Sequence, residues 1–453
     1  MFPWLGLLQM HHEPKKMSEA HFSGLPSQSN IYGMTTLNIG DVNKVLVSCL
    51  QRNVFCVEYT RNKKNMLTPS SREIHFTYLP EGADVIAIDA FSKSVPDNLD
   101  IIIGIAFIRP GENQLQRHYL NIYSQSEPGC GLDLDRIAQG CQSLELNFIP
   151  YQLTHALLFP NRTNRKNGEF VFLLCGSDSR IHLYQEDVHQ SYTEVPVNIH
   201  FPEFADVQDI VLMMSLKYVE NETSRLSAIG CESGLVQVSV TTLNGNEIQV
   251  VSSWKVDLDS PVSAVQFFED AVFLPIPEFL ENAGIKKIQD DSTESSRTHL
   301  LVGTTLGTSF IYRDILSRGF DAYATLPCSD QFDSVTCGCI ADIDMDGENE
   351  VILGTYGQEV LVYKLERFPS GKEAYALLWQ QTVSHPILSL RYLDIMGDGA
   401  CELLVLSTKG LHILQHDLQE TAQICVDRIN RILELMTNKP QADTEEERPD
   451  PPV

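Results

Sequence analysis

A chain of 453 residues with 60 Asp+Glu against 33 Lys+Arg carries a formal charge of −27, and only five acids and one arginine fall after Pro440, so −23 is spread over the rest. Such a surface repels phosphate backbones and anionic headgroups at long range, which argues against nucleic-acid binding and direct membrane insertion. With 43% hydrophobic and 21% charged residues, the bulk of the chain has the composition of a globular core and not of a disordered one.

Residues 1–26 read as a disordered leader. Met1–Met10 has the apolar flavour of a signal peptide but lacks its basic start and a small-residue cleavage site, and no run reaches the ~18 apolar residues of a membrane span. Length alone, at ~150 residues per domain, suggests about three domains. A repeat replaces them. An apolar strand, a polar turn and a second strand recur at Val45–Tyr59, Ile101–Tyr123, Val171–Tyr184, Leu226–Val240, Leu300–Tyr312, Val351–Tyr363 and Leu403–Leu414. The first strand of each unit is a continuous apolar run, as burial on both faces requires, and the second alternates more. Starts 51 to 74 residues apart suit four-stranded blades. Trp254 before Pro261 and Trp379 before Pro386 share a spacing of seven, each reading as an outer strand that leads into the next inner strand. The fold class is therefore all-β: a seven-bladed β-propeller over 27–415, with a polar insertion at 275–298. A pair of smaller β domains is the rival arrangement.

Two basic clusters interrupt the acidic background, Arg61, Lys63, Lys64 and Arg162, Arg165, Lys166. They are either solvated loops or contacts for an acidic protein surface. Asn161 and Asn221 head glycosylation acceptors, which a cytosolic chain does not use. Eleven cysteines without a CxxC pair read as reduced thiols of an intracellular protein.

The sharpest chemical motif is Asp342-Ile-Asp344-Met-Asp346-Gly347-Glu-Asn-Glu350. Carboxylates at positions 1, 3 and 5 with Gly at 6 suit a hard cation such as calcium. Position 12 is Leu353, and the loop runs into a strand, so it is not an EF-hand. It resembles the Asp-rich loops of FG-GAP repeats, the calcium-site repeats of integrin-type propellers. The pattern returns 52 residues later as Asp394-Ile-Met396-Gly-Asp398-Gly399-Ala-Cys-Glu402, where Met396 cannot ligate a hard cation. One reading is a degenerate calcium loop formed by Asp342, Asp344, Asp346 and Glu350. The other is a decayed one whose Asp side chains only cap turn N–H groups.

Leu418, Ala422, Cys425, Ile429, Ile432 and Met436 are spaced 4, 3, 4, 3 and 4 apart, one apolar face of a C-terminal amphipathic α-helix over 416–438. That stripe either packs on the propeller or docks a partner protein. Residues 439–453 form an acidic tail. No GxSxG, phosphate loop, HExxH or GxGxxG is present, so nothing selects an enzyme, although a carboxylate pair across the ring, as in glycosidase propellers, stays open.

Several longer strings carry a more specific resemblance: Ser27–Gly33, Leu120–Tyr123, Leu134–Gln139, Ser329–Val335, Thr355–Glu359 and Lys409–His416. They resemble the kaptin family of KICSTOR complex components and span roughly residues 27 to 430. That resemblance implies a non-enzymatic adaptor without a cofactor. It implies other KICSTOR subunits as partners, including a second FG-GAP-type propeller and a large scaffold, and the GATOR complex indirectly. It places the chain in the cytoplasm and at the lysosomal surface, restraining TORC1 on amino-acid or glucose starvation. It also implies association with actin filaments in lamellipodia and stereocilia. The alternatives from other classes are a calcium-dependent extracellular adhesion-type propeller and a propeller hydrolase.

Overall fold

In the computed structural model the described residues are 17–39, 42–64, 66–95, 98–111, 116–124, 133–159, 169–219, 223–245, 247–270 and 297–437, with side chains to 430 in the last stretch. They divide into two compact units, one reaching to 272 and resuming from 295 to 415, the other containing the C-terminal helix.

The first unit is a seven-bladed β-propeller: seven four-stranded antiparallel sheets, six of them built from consecutive strands. Burial explains the order within a blade. The second strands, such as Ser224–Cys231, Thr298–Thr304 and Glu402–Ser407, are buried at every residue. Each lies between two neighbouring blades, so both faces must be apolar. Among the innermost strands Val335–Ala341 alternates in burial, with Cys337 and Cys339 packed in a cluster with Ile387 of the next blade and Ile340 packed against the cluster of Leu301 of the preceding one. The outermost strand Glu247–Asp257 is mostly exposed. The seven sequence repeats coincide with the second and third strands of the blades, and Trp254 and Trp379 lie in outermost strands, as expected.

In six of the seven blades the innermost strand slips register near its start, as at Val335/Cys337 and Ile387/Ser389. A bulge there adds twist where the strands converge on the axis. Glycines admit the neighbouring blade: a Cβ on Gly230 would lie 2.3 Å from Val262 Cγ1, and one on Gly354 would lie 2.6 Å from Ile387 Cγ2.

The seventh blade corrects the expected leader. Its fourth strand is Ser18–Gly24, which pairs antiparallel with Gly410–Gln415. The propeller therefore begins near residue 17, not 27, and is closed by pairing the start of the chain with the end of the ring. Glu19 Oε2 lies 2.7 Å from His412 Nδ1, the Phe22 ring packs at a tilt of 43° against that imidazole with centroids 4.5 Å apart, and the Leu25 N–H donates to Lys409 O at 2.8 Å. The composition SEAHFSG hides this strand because only Phe22's neighbour Ser23 is buried there. Of the insertion expected at 275–298, residues 275–296 lie outside the described residues, and Thr298 already belongs to a strand.

The helix runs over Leu418–Thr437. Asp417 caps it, its Oδ1 accepting from the Gln419 and Glu420 N–H groups at 2.9 and 3.0 Å. Among the described residues no helix is long and apolar enough to cross a membrane. The acidic tail from 439 lies outside the described residues.

Closure by Ser18–Gly24 is testable. Removing residues 1–25 leaves Gly410–Gln415 as an open edge, which promotes association through strand pairing. The shortened chain is expected to melt several degrees lower and to elute as oligomers in size-exclusion chromatography. A monomer with unchanged melting would show that the strand is dispensable. Gly410→Val is the point-substitution counterpart, since its Cβ would meet Ser23 O at 2.5 Å.

Candidate functional site

The Asp342–Glu350 loop joins the first and second strands of the sixth blade, Val335–Ala341 and Glu350–Thr355. Gly347 at position 6 has φ +93°, and its counterpart Gly399 has φ +91°, so both loops turn through a conformation that favours glycine. Part of each carboxylate is consumed by the loop itself. Gly347 N–H donates to Asp342 Oδ2 at 2.9 Å, Asp346 N–H to Asp344 Oδ1 at 3.2 Å, and Glu348 N–H to Asp346 Oδ1 at 2.9 Å. Glu350 Oε2 reaches back to accept from Ile343 N–H at 2.8 Å.

The remaining oxygens converge. One oxygen each from Asp342, Asp344 and Glu350 lie within 4.8 Å of one another. Sequence reading missed the residue that meets them. Lys364, just past the third strand's Tyr363, places its ammonium against Asp344 Oδ2, 2.6 Å from Asp346 Oδ2 and 3.1 Å from Glu350 Oε1. Glu350 is fully buried, and burial with the nearby Asp344 charge pushes its carboxyl up to about 8. Burial also raises Asp342 and Asp344. For Lys364 burial acts downward, but the Glu350 charge and the bonds to Asp344 and Asp346 outweigh it and raise the amine.

The loop also ties three blades together. Asn349 donates to Glu269 O at 2.8 Å in the fifth blade, and Tyr392 of the seventh donates to Asp342 O at 3.3 Å.

The Asp394–Glu402 loop repeats the backbone with different chemistry. Gly399 N–H donates to Asp394 Oδ2 at 2.8 Å, and Ile395 N–H to Glu402 Oε2 at 3.1 Å. Asn43 of the first blade donates to Asp394 O at 2.7 Å. Where the sixth blade has Asp344 and Lys364, the seventh has Met396 and Gln415, whose Nε2 lies 3.6 Å from the Met396 sulfur. Both halves of the charge pair are replaced together. Glu402 is left fully buried without that ammonium, and burial pushes its carboxyl up to about 7.

The innermost strands enclose a cavity of about 380 Å3 whose lining includes Gln152, Met213, Ser263, Cys337 and Arg391. Asp89 is the one carboxylate among its described lining residues, tied to His155 Nδ1 at 2.8 Å and Thr35 Oγ1 at 3.1 Å. A pair of carboxylates facing each other across the axis, which a glycosidase-type propeller requires, is not found among those residues.

The other candidates are placed as follows. Arg61 ends the third strand of the first blade, and Lys63 and Lys64 are exposed in the turn after it, which Asn62 Oδ1 orders by accepting from the Lys64 and Met66 N–H groups at 2.9 and 3.0 Å. Arg162, Arg165 and Lys166 lie outside the described residues. On the helix, Leu418 is 58% and Ile429 56% exposed, and Ala422 and Cys425 are exposed as well. The side chains of Ile432 and Met436 lie outside the described ones. The ten cysteines among the described residues are free thiols.

Two comparisons bear on this geometry. A model of the family "KICSTOR complex protein kaptin" matches residues 17–426, from the closing strand into the helix. The KICSTOR complex protein kaptin of Mus musculus is 36% identical over 423 residues, which is 93% of this chain and 93% of that protein.

Glu402 yields a pH prediction. Its folded pKa of about 7 lies above the ordinary 4.5, so the native state holds the proton more tightly than the unfolded chain does. Stability is then fully present below about 4.5 and declines as pH rises towards 7, by about 3 kcal/mol at most. Glu402→Gln keeps an acceptor for Ile395 N–H and removes the titration. Urea melts between roughly pH 5 and pH 8 should show a shallower fall in stability for the variant. Identical slopes would reject the assignment.

Proposed function

The chain belongs to the kaptin family, and on that premise we propose that it acts as a non-enzymatic scaffold subunit of the KICSTOR complex. The observation that carries this reading is the relationship to a KICSTOR protein along 93% of both chains. In this role it pairs with other KICSTOR subunits, among them a second FG-GAP-type propeller and a large scaffold. Through them it helps to bring the GATOR complex to lysosomes and restrains TORC1 signalling when amino acids or glucose are scarce.

Three physical features support such a role. Seven blades locked by shared burial make a rigid body with many loop surfaces, a suitable adaptor. With −23 on the chain up to Pro440, attachment to an anionic lysosomal surface is left to partner subunits. The exposed stripe Leu418, Ala422, Cys425 and Ile429 supplies an apolar helix face of the kind that docks into a partner's groove. Actin filaments are themselves acidic, so a direct filament contact falls to a basic turn such as Arg61–Lys64.

Affinity purification of the full chain from fed and starved cells tests the reading. Lysosomal scaffold subunits should copurify, and Leu418→Asp with Ile429→Asp should lose them while the melting temperature stays unchanged. A falling melting temperature would assign the stripe to packing within the chain, and absence of those subunits with the unaltered chain would sink the KICSTOR role. For actin, Lys63→Glu with Lys64→Glu should reduce cosedimentation with filaments, and unchanged cosedimentation would remove this turn from the contact.

A further inference from the structure

The sixth-blade loop has the ligand types of a hard-cation site but not the room for one. Asp342, Asp344, Asp346 and Glu350 each give one carboxylate oxygen to a loop N–H group. What remains is Asp342 Oδ1, Asp344 Oδ2, Asp346 Oδ2 and Glu350 Oε1. Three of these four face the Lys364 ammonium, at distances an ion pair takes. Glu350 Oε1 is buried and makes no hydrogen bond, and the Lys364 ammonium 3.1 Å away is the charge that faces it. A second cation of like sign cannot share that space with an ammonium already in contact with the same oxygens.

We propose that Lys364 is a tethered substitute for a metal ion: its ammonium closes the Asp342–Glu350 loop, makes the clamp between the fifth, sixth and seventh blades independent of divalent cations, and on removal uncovers a calcium site.

The seventh blade supplies the independent observation. The backbone of its loop is retained through Asp394, Gly399 and Glu402, with the same N–H bonds. Position 3 and the third-strand position have both become neutral there, as Met396 and Gln415. If Asp344 served only to cap a turn, the residue opposite would be free to remain charged. Paired loss is what a cation and its principal counter-charge undergo when the site is dismantled. The substitution is also sound in charge. Four carboxylates with one ammonium keep a net of −3 in place of the −2 left by a divalent ion. A tethered amine loses no translational freedom on closing the loop, whereas a free ion does.

The test uses the full chain with calcium chloride or EDTA as the probe condition. The wild-type chain is expected to give no calcium binding in titration calorimetry and the same melting temperature with calcium as with EDTA. Lys364→Met removes the charge at similar length. It is expected to melt several degrees lower in EDTA, to recover in millimolar calcium, and to bind one calcium per chain at least about tenfold more tightly than wild type. Adding Asp344→Asn should abolish that binding. Calcium binding by the wild-type chain that is lost in Asp344→Asn would overturn the proposal. So would a folded Lys364→Met that ignores calcium, or one that fails to fold both with and without it. A variant that folds only when calcium is present would uphold the proposal.

Discussion

A strand buried on both faces needs a neighbour on each side, and this chain has one such strand in every blade. No blade is stable alone under that constraint, because Ser224–Cys231 or Thr298–Thr304 would present its whole length to water on one side. The sheets must form a ring, and the ring must close. Everything else follows from that requirement: the bulges that let innermost strands converge, the glycines that admit the next blade, and the hydrogen bonds that cross from loop to loop. Closure falls to Ser18–Gly24, a short polar strand whose contribution lies in backbone pairing and in the contacts of Glu19 and Phe22 with His412.

The two Asp loops show how one backbone carries two chemistries. Glycine at position 6, an Asp at position 1 that binds its N–H, and a Glu at position 9 that reaches back to position 2 suffice to shape the turn. The blade-to-blade bonds from Tyr392 and Asn43 go to backbone carbonyls and therefore survive in both loops. What differs is the electrostatic filling. The sixth blade gathers three carboxylates, of Asp344, Asp346 and Glu350, around one ammonium, while the seventh replaces the Asp344–Lys364 pair by a thioether and an amide. Loop shape and loop charge are thus separable properties.

That separation sets what the sequence made legible. The seven repeats marked second and third strands because double burial leaves little choice of residue type. The helix was legible from its stripe to within two residues at each end. Ser18–Gly24 was not, because an outermost strand with a wet face has no such compositional demand. The Asp spacing announced cation chemistry, but Lys364 sits fourteen residues beyond Glu350, on another strand, and only side-chain reach brings it home. Comparison of Lys364 with Gln415 and of Asp344 with Met396 was the available signal. The strings that carried the family likeness prove to be stitching. Ser29 donates to Ser48 O at 2.6 Å, Asn30 to Val85 O at 2.9 Å and Tyr32 to Leu212 O at 2.9 Å, and a Cβ on Gly357 would collide with Phe332 O at 2.3 Å.

Closure by the first strand also has a consequence in time. Glu19 and His412 are separated by 393 positions along the chain. On a ribosome adding ~5–20 residues per second, the first strand therefore waits on the order of 20–80 s for its partner. Blades accumulate during that interval as an open arc with bare flanks, and the last blade is made only at its end. Loop closure on this scale makes folding slow, since the entropy of joining distant segments is spent before the final contacts form. The short, polar character of Ser18–Gly24 suits that wait: a waiting strand with one buried side chain in seven offers little for a stranger to grip.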